Sequence, residues 1–286
     1  MGKKVYVSGT TGISCLDMET GDLLWTFKDI SLGPSFVLFD GYVVMSSNFR
    51  GFIDYAQSQE SALPEPEQEM KRLLCLNGET GECVWEFHAD GAVPFFPAYS
   101  DHQVFINDES RNVYCLNART GKVIWKTSIE WASSSSLSLD GKRIFVGTEE
   151  GIICLDVKTG RELWKFECDS VHRSLTVTRD KIFFPVNEVL YCLDARKGDL
   201  LWEADIESPI STTIVGADTK VILGTARGTL NILAIESGKI CDIIEISDSP
   251  VLMLAVSDGK LFVWQQNGWI YCFGWYWKAL AQTYKV

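Results

Sequence analysis

Cys154-Leu155-Asp156-Val157-Lys158-Thr159-Gly160-Arg161-Glu162-Leu163-Trp164 decides the fold, because the same phrase returns along the chain at fixed internal spacing. Cys15-Leu16-Asp17 leads to Thr20-Gly21 and Trp25, Cys75-Leu76-Asn77 to Thr80-Gly81 and Trp85, and Cys115-Leu116-Asn117 to Thr120-Gly121 and Trp125. The fifth copy is Cys192-Leu193-Asp194, Lys197-Gly198 and Trp202. In each, the cysteine precedes the glycine by six residues and the tryptophan follows it by four. A degenerate sixth copy ends at Gly238, with Ile232 in the cysteine place and Asp242 in the tryptophan place. A seventh starts at Tyr271-Cys272-Phe273 and departs at Lys278. The glycine-to-glycine steps are 60, 40, 39, 38 and 40.

Around each phrase the apolar residues alternate with polar ones between turn residues, the signature of short strands. The fourth unit reads as strands at 136–139, 143–147, 152–155 and 162–166, separated by Asp140-Gly141, Glu149 to Gly151 and Lys158 to Gly160. We call these strands A to D. No helical periodicity intervenes, which excludes helical solenoids and parallel sheets with crossover helices. The expectation is an all-β, seven-bladed β-propeller of four-stranded antiparallel blades, with residues 1–286 as one domain.

Leu-Asp-x-x-Thr-Gly-x-x-x-Trp after a Val-x-Val-Gly-Thr type strand resembles the pyrroloquinoline quinone (PQQ)-type propeller repeat. The resemblance implies that Gly21, Gly81, Gly121, Gly160 and Gly198, with Trp25, Trp85, Trp125, Trp164 and Trp202, dock one blade on the next. Two readings of the ring's ends stay open. The chain enters at a B strand, Val5-Tyr6-Val7, so either 279–286 supply the missing first A strand or they form strand D of the seventh blade. The first is preferred here, with Trp275-Tyr276-Trp277 as part of a closure seam.

Composition limits function. Apolar residues make up 46% of the 286 and charged residues 22%, an ordinary folded chain. Lys and Arg total 26 against 38 Asp and Glu, a net charge of -12, which disfavours nucleic acid and anionic lipid as partners. No apolar stretch approaches a membrane span or a secretory leader, so no membrane insertion and a cytoplasmic location are expected. The repeat-phased cysteines read as buried reduced thiols rather than zinc or redox ligands.

Catalytic patterns are sparse. Quinoprotein dehydrogenases of the resembled type use calcium, an aspartate base and PQQ stacked against a tryptophan and, in many members, a disulfide between adjacent cysteines. This chain has no Cys-Cys pair. His88, His102 and His172 fall at different repeat positions, and Glu149-Glu150 and Asp108-Glu109 read as solvated turn charges. The expectation is therefore no catalytic residue, no metal and no cofactor, with PQQ and calcium, or another small-molecule enzyme, as the alternative. A propeller segment of a larger protein is a further alternative.

Recognition is then expected on loops. The meander places D–A and B–C connections on one side and the stereotyped A–B and C–D turns on the other. The first side carries Phe36, Phe95, Phe96, Trp131, His172 and Arg173 near the starts of A strands, and Arg50, Arg111, Glu150, Glu188 and Arg227 in B–C turns. Arginine and aromatic residues favour binding surfaces, while plugging of a channel is an equal reading for Phe95 and Phe96. The 60-residue step puts an acidic insertion at about 51–71 on this side of the second blade. The expected function is a monomeric, non-catalytic scaffold that binds a protein partner or senses a small ligand.

Overall fold

The computed structural model describes residues 3–9, 12–28, 32–47, 71–93, 96–132, 135–172, 175–274 and 280–285. Every element among them is a β-strand, and the strands form seven antiparallel sheets. The first holds β1 (Lys4–Gly9), β2 (Gly12–Asp17) and β3 (Leu23–Lys28). The second holds β4 (Leu32–Phe39), β5 (Tyr42–Ser47), β6 (Arg72–Asn77) and β7 (Cys83–His88). The third runs β8 (Ala98–Ser100), β9 (Gln103–Asn107), β10 (Asn112–Asn117) and β11 (Val123–Ser128). The fourth comprises β12 (Ser138–Leu139), β13 (Arg143–Thr148), β14 (Gly151–Asp156) and β15 (Glu162–Glu167).

The fifth follows with β16 (Thr176–Thr178), β17 (Lys181–Val186), β18 (Val189–Asp194) and β19 (Leu200–Asp205). The sixth contains β20 (Val215–Ala217), β21 (Lys220–Gly224), β22 (Thr229–Ala234) and β23 (Ile240–Glu245). The last is built from β24 (Val251–Ser257), β25 (Lys260–Gln265), β26 (Trp269–Phe273) and β27 (Leu280–Lys285). Each sheet is a meander in chain order, and together they are the blades of a seven-bladed β-propeller. The chain divides into two compact units, Met1–Leu163 and Trp164–Val286.

Central strands are buried on both faces, as in Arg143 to Thr148, whereas D strands alternate between exposed and half-buried residues. The difference follows from stacking: a B or C strand has a neighbouring sheet on each face, while a D strand lies at a sheet edge. In the first unit Phe105, Val113 and Cys115 pack with Ile144, Val146, Ile153 and Leu155 of the next sheet. In the second, Phe183, Leu190 and Cys192 pack with Val221, Leu223 and Leu233 in the same way.

A bulge recurs where strand D meets strand C. Cys115 faces Trp125 and Leu116 faces Val123, so Ile124 has no direct partner. The same slip occurs after Cys15, Cys75, Cys192, Ile232 and Cys272. An extra residue of this kind raises the local twist and re-aims the side chain that follows, here the tryptophan.

The C-terminal strand corrects one expectation. β27 pairs with β26, Tyr271 opposite Thr283, and carries the same bulge after Cys272, so it is strand D of the seventh sheet. Among the described residues the first sheet has three strands, and β27 does not complete it; Trp275-Tyr276-Trp277 lie outside the described residues. Folding back on the neighbouring strand closes only a short loop, which costs less chain entropy than a long-range closure.

Candidate functional site

The turns sort into two sides through backbone hydrogen bonds. Ala118 donates to His102, Val157 to Lys142, Ala195 to Asp180 and Ile235 to Thr219, so each C–D turn is tied to the A–B turn of its own sheet. On the other side Glu109 donates to Ala92 at 2.9 Å, Glu149 to Ala132 at 3.0 Å, Ala226 to Pro209 at 2.9 Å and Gln266 to Pro250 at 2.9 Å. In the third, fourth, sixth and seventh sheets the B–C turn is thus tied to the D–A loop entering its own sheet.

The C–D side is stereotyped. The Asp156 carboxylate accepts backbone N–H groups of Lys158 and Thr159 and the Thr159 hydroxyl, and Gly160 N–H donates to the Asp156 carbonyl. Asp17, Asn77, Asn117 and Asp194 accept the matching N–H groups in their turns. These bonds hold the Asp156 carboxyl below the usual carboxylate range, the Thr159 hydroxyl contributing most. Asp17 is lowered by the backbone N–H groups of Thr20 and Glu19.

Each repeat tryptophan reaches the next sheet. The Trp85 indole N–H donates to the Ala118 carbonyl at 2.9 Å, Trp25 to Gly78 at 3.1 Å and Trp125 to Val157 at 3.2 Å. Trp164 donates to Ala195 at 3.3 Å and Trp202 to Ile235 at 2.9 Å. A β-carbon built on Gly81, Gly121, Gly160, Gly198 or Gly238 would stand 2.5 to 2.7 Å from the indole of the preceding repeat. Gly21 has no atom within 4 Å of that position. The geometry joins the tryptophan of one repeat to the glycine of the next, and it includes Gly238 from the degenerate copy.

Most of the predicted binding residues lie on the D–A and B–C side, where Phe96, Arg111, His172, Glu150, Glu188 and Arg227 are exposed. Arg111 has a φ of 64° at a position held by Gly228 and Gly268 in later sheets, and its guanidinium donates to the Glu130 carbonyl at 3.1 Å. Trp131 corrects the expectation: it is 7% exposed and packs in the core with Ile129 and Leu137, because burying so large an apolar surface outweighs leaving it at a rim. Phe36 is likewise half-buried, against Val43 and Met45. Arg50, Phe95, Arg173 and the insertion at 51–70 lie outside the described residues.

Asp108 is a second correction. It is fully buried, not a solvated turn charge. Its carboxylate accepts Gly91 N–H at 3.0 Å, Asn112 N–H at 2.8 Å and the Tyr114 hydroxyl at 2.9 Å. The Tyr114 oxygen in turn accepts Asp90 N–H at 3.1 Å. The acid therefore fastens the D–A loop at Asp90-Gly91 to the third sheet. Burial and the neighbouring carboxylates push the Tyr114 hydroxyl up, so it stays a donor. The sequence signal was an acid directly after a B strand, where Thr148 and Thr225 stand in other repeats.

The repeat-phased thiols are buried and inert. Cys75, Cys115, Cys154 and Cys192 are pushed up to about 12 by burial, so the thiolate needed for nucleophilic or metal chemistry is suppressed. Among the described residues no group of three His, Cys, Asp or Glu side chains is arranged to hold a metal. No helix among them is long and apolar enough to cross a membrane.

Three solved structures share the architecture. BamB from Moraxella catarrhalis has 17% identity and a TM-score of 0.72, covering 92% of this chain and 77% of that one. The computationally designed Ika8 protein has 16% identity and a TM-score of 0.80, covering 99% and 84%. Sqt1 of Saccharomyces cerevisiae has 13% identity and a TM-score of 0.74, covering 98% and 82%. At such identities the likeness is one of fold. No curated protein matches the chain. The family model described as outer membrane protein assembly factor BamB matches residues 109–275, more than half of the chain, and the protein belongs to that family of PQQ-like β-propeller repeat proteins.

Proposed function

We propose that this protein is a non-catalytic β-propeller scaffold, one domain acting in the cytoplasm, that binds a protein partner or senses a ligand on its D–A and B–C side. The observation that carries the reading is the contrast between the two sides. One is made of near-identical capped turns, while the other varies from blade to blade and exposes Phe96, Arg111, His172 and Arg227. Glycine and tryptophan pairs are given the blade-docking role that the repeat type implies. The family's description as an assembly factor supports a protein partner.

Affinity capture from the native cell with the full chain tests this, repeated with Ser58 to Glu69 deleted. Recovery of a partner that is weakened by the deletion or by Phe96→Ser supports it. Binding of PQQ with calcium, read as a quinone spectrum with dye reduction, would replace it with the enzyme reading.

A further inference from the structure

On the C–D side, a recurring backbone hydrogen bond brings two side chains of one sheet together. Met18 N–H donates to the Lys3 carbonyl at 2.8 Å, Ala118 to His102 at 3.0 Å, Val157 to Lys142 at 3.0 Å and Ala195 to Asp180 at 2.9 Å. The residue after each donor thus stands next to the acceptor residue: Glu19 by Lys3, Arg119 by His102, Lys158 by Lys142 and Arg196 by Asp180. In the first and fifth sheets the two have opposite signs and pair, Lys3 with Glu19 at 2.5 Å and Arg196 with Asp180 at 2.7 Å.

The third and fourth sheets put basic side chains at both positions. In the third, a carboxylate of the second sheet's A–B turn lies against both: Asp40 Oδ2 is 3.5 Å from His102 Nδ1 and 3.7 Å from the Arg119 guanidinium. In the fourth, Lys142 and Lys158 are exposed, and neither is in an ion pair among the described residues. Asp101, which precedes His102 as Asp40 precedes Gly41, supplies none to them. The acids of the fourth sheet's own turns are committed. Asp140 accepts the N–H and guanidinium of Arg143, and Asp156 accepts the N–H groups of Lys158 and Thr159 and the Thr159 hydroxyl. Lys158 is only the smallest of the influences that lower the Asp156 carboxyl. Arg161, in the same turn, is a third exposed cation.

We propose that Lys142 and Lys158, with Arg161, take a carboxylate from an acidic segment of a partner protein, in the role that Asp40 plays for His102 and Arg119. Like charges held side by side repel until an anion joins them, so complementarity sets the sign of the partner. The net charge of -12 repels an extended polyphosphate or an anionic membrane more than a short acidic segment, which selects the peptide. This surface is additional to the one on the D–A and B–C side and does not depend on it.

Fluorescence anisotropy of the full chain with labelled octaglutamate tests it, with a neutral Gly-Ser octapeptide and an eight-nucleotide single strand as comparisons. Octaglutamate is expected to bind, more weakly as salt rises, the neutral peptide not to bind, and the oligonucleotide to bind less tightly than octaglutamate. Lys142→Gln with Lys158→Gln is expected to weaken octaglutamate about fivefold, as for the loss of two exposed ion pairs. Lys158→Glu is expected to weaken it further while the thermal midpoint holds or rises, because the fourth sheet then has the charges of Lys3 and Glu19 in the first. A lysine with a merely structural role would lower both. Lys239→Gln with Lys260→Gln, at exposed positions of the sixth and seventh sheets, removes the same charge and should leave binding unchanged. Equal weakening there overturns the site, as does tighter binding of the oligonucleotide. Absence of octaglutamate binding by a chain whose thermal midpoint shows it folded overturns it as well.

Discussion

Gly121 lies so close beneath the Trp85 indole that a β-carbon at Gly121 would begin 2.7 Å from the ring. Its φ of 68° also falls in the left-handed region, so two separate penalties meet at one residue. Gly21 shares the conformation, at 75°, but nothing stands within 4 Å of it. Gly121→Ala is expected to destabilise by about 2–5 kcal/mol, strain plus overpacking, against about 1–2 kcal/mol for Gly21→Ala. Denaturant midpoints of the two variants check this; equal losses would show that the indole contact adds nothing.

Trp85→Phe separates the hydrogen bond from the packing. The ring stays apolar, but the buried Ala118 carbonyl loses the N–H that reaches it at 2.9 Å. A loss of about 1–3 kcal/mol is expected from the unpaired acceptor. Trp85→Ala should cost about 3–5 kcal/mol, because a residue only 8% exposed would leave a cavity.

Asp108→Asn tests the buried acid. The carboxylate accepts from Gly91, Asn112 and Tyr114, whereas an amide presents an N–H₂ to groups that are themselves donors. A destabilisation of about 1–3 kcal/mol is expected, with faster hydrogen exchange at Asp90 and Gly91 than in the C–D turns.

Acid sensitivity follows from the capped turns. Asp156 has a lower pKa folded than unfolded, because the Thr159 hydroxyl and neighbouring N–H groups favour the charged form. Its contribution is complete above the ordinary aspartate value of about 4 and is lost as pH falls through the lower folded value. Melting temperature is expected to be level from neutral pH to about 5 and to fall below about 4. Asp156→Asn should remove part of that fall while keeping the cap, since Asn77 and Asn117 make the same bonds without a charge.

Thiol labelling offers an independent reading of burial. Cys83 and Cys241 are exposed and are expected to react with maleimide in the native protein, and Cys168 slowly, its thiol pushed up to about 11 by burial. Cys75, Cys115, Cys154 and Cys192 should react only on unfolding, as mass spectrometry of the labelled peptides would show.

Much of this architecture was legible because its causes are local. Strand boundaries, C–D turns and loop sides follow from residues a few positions apart, and the repeat multiplies each signal. What was not legible depends on packing between neighbours. Nothing adjacent in sequence marks Trp131 as buried while Phe96 stays exposed, since the core that decides it comes from Leu137 and Ile144. Asp108 resembled any acidic turn until the N–H groups of Gly91 and Asn112 were seen to converge on it. The role of β27 turned on a choice between a short hairpin and a long closure that composition does not bias.

Because the tryptophan of one repeat is seated on the glycine of the following one, each of the four repeats from Gly81 to Trp202 carries one half of two couplings, four residues apart in a single phrase. Recombination that adds or removes a whole segment, wherever the breakpoint falls within it, regenerates matched halves on both sides. Loss of a fraction of a segment leaves two couplings mismatched. A change by whole units would therefore need no new kind of tryptophan–glycine contact, whereas a partial deletion would have to create one.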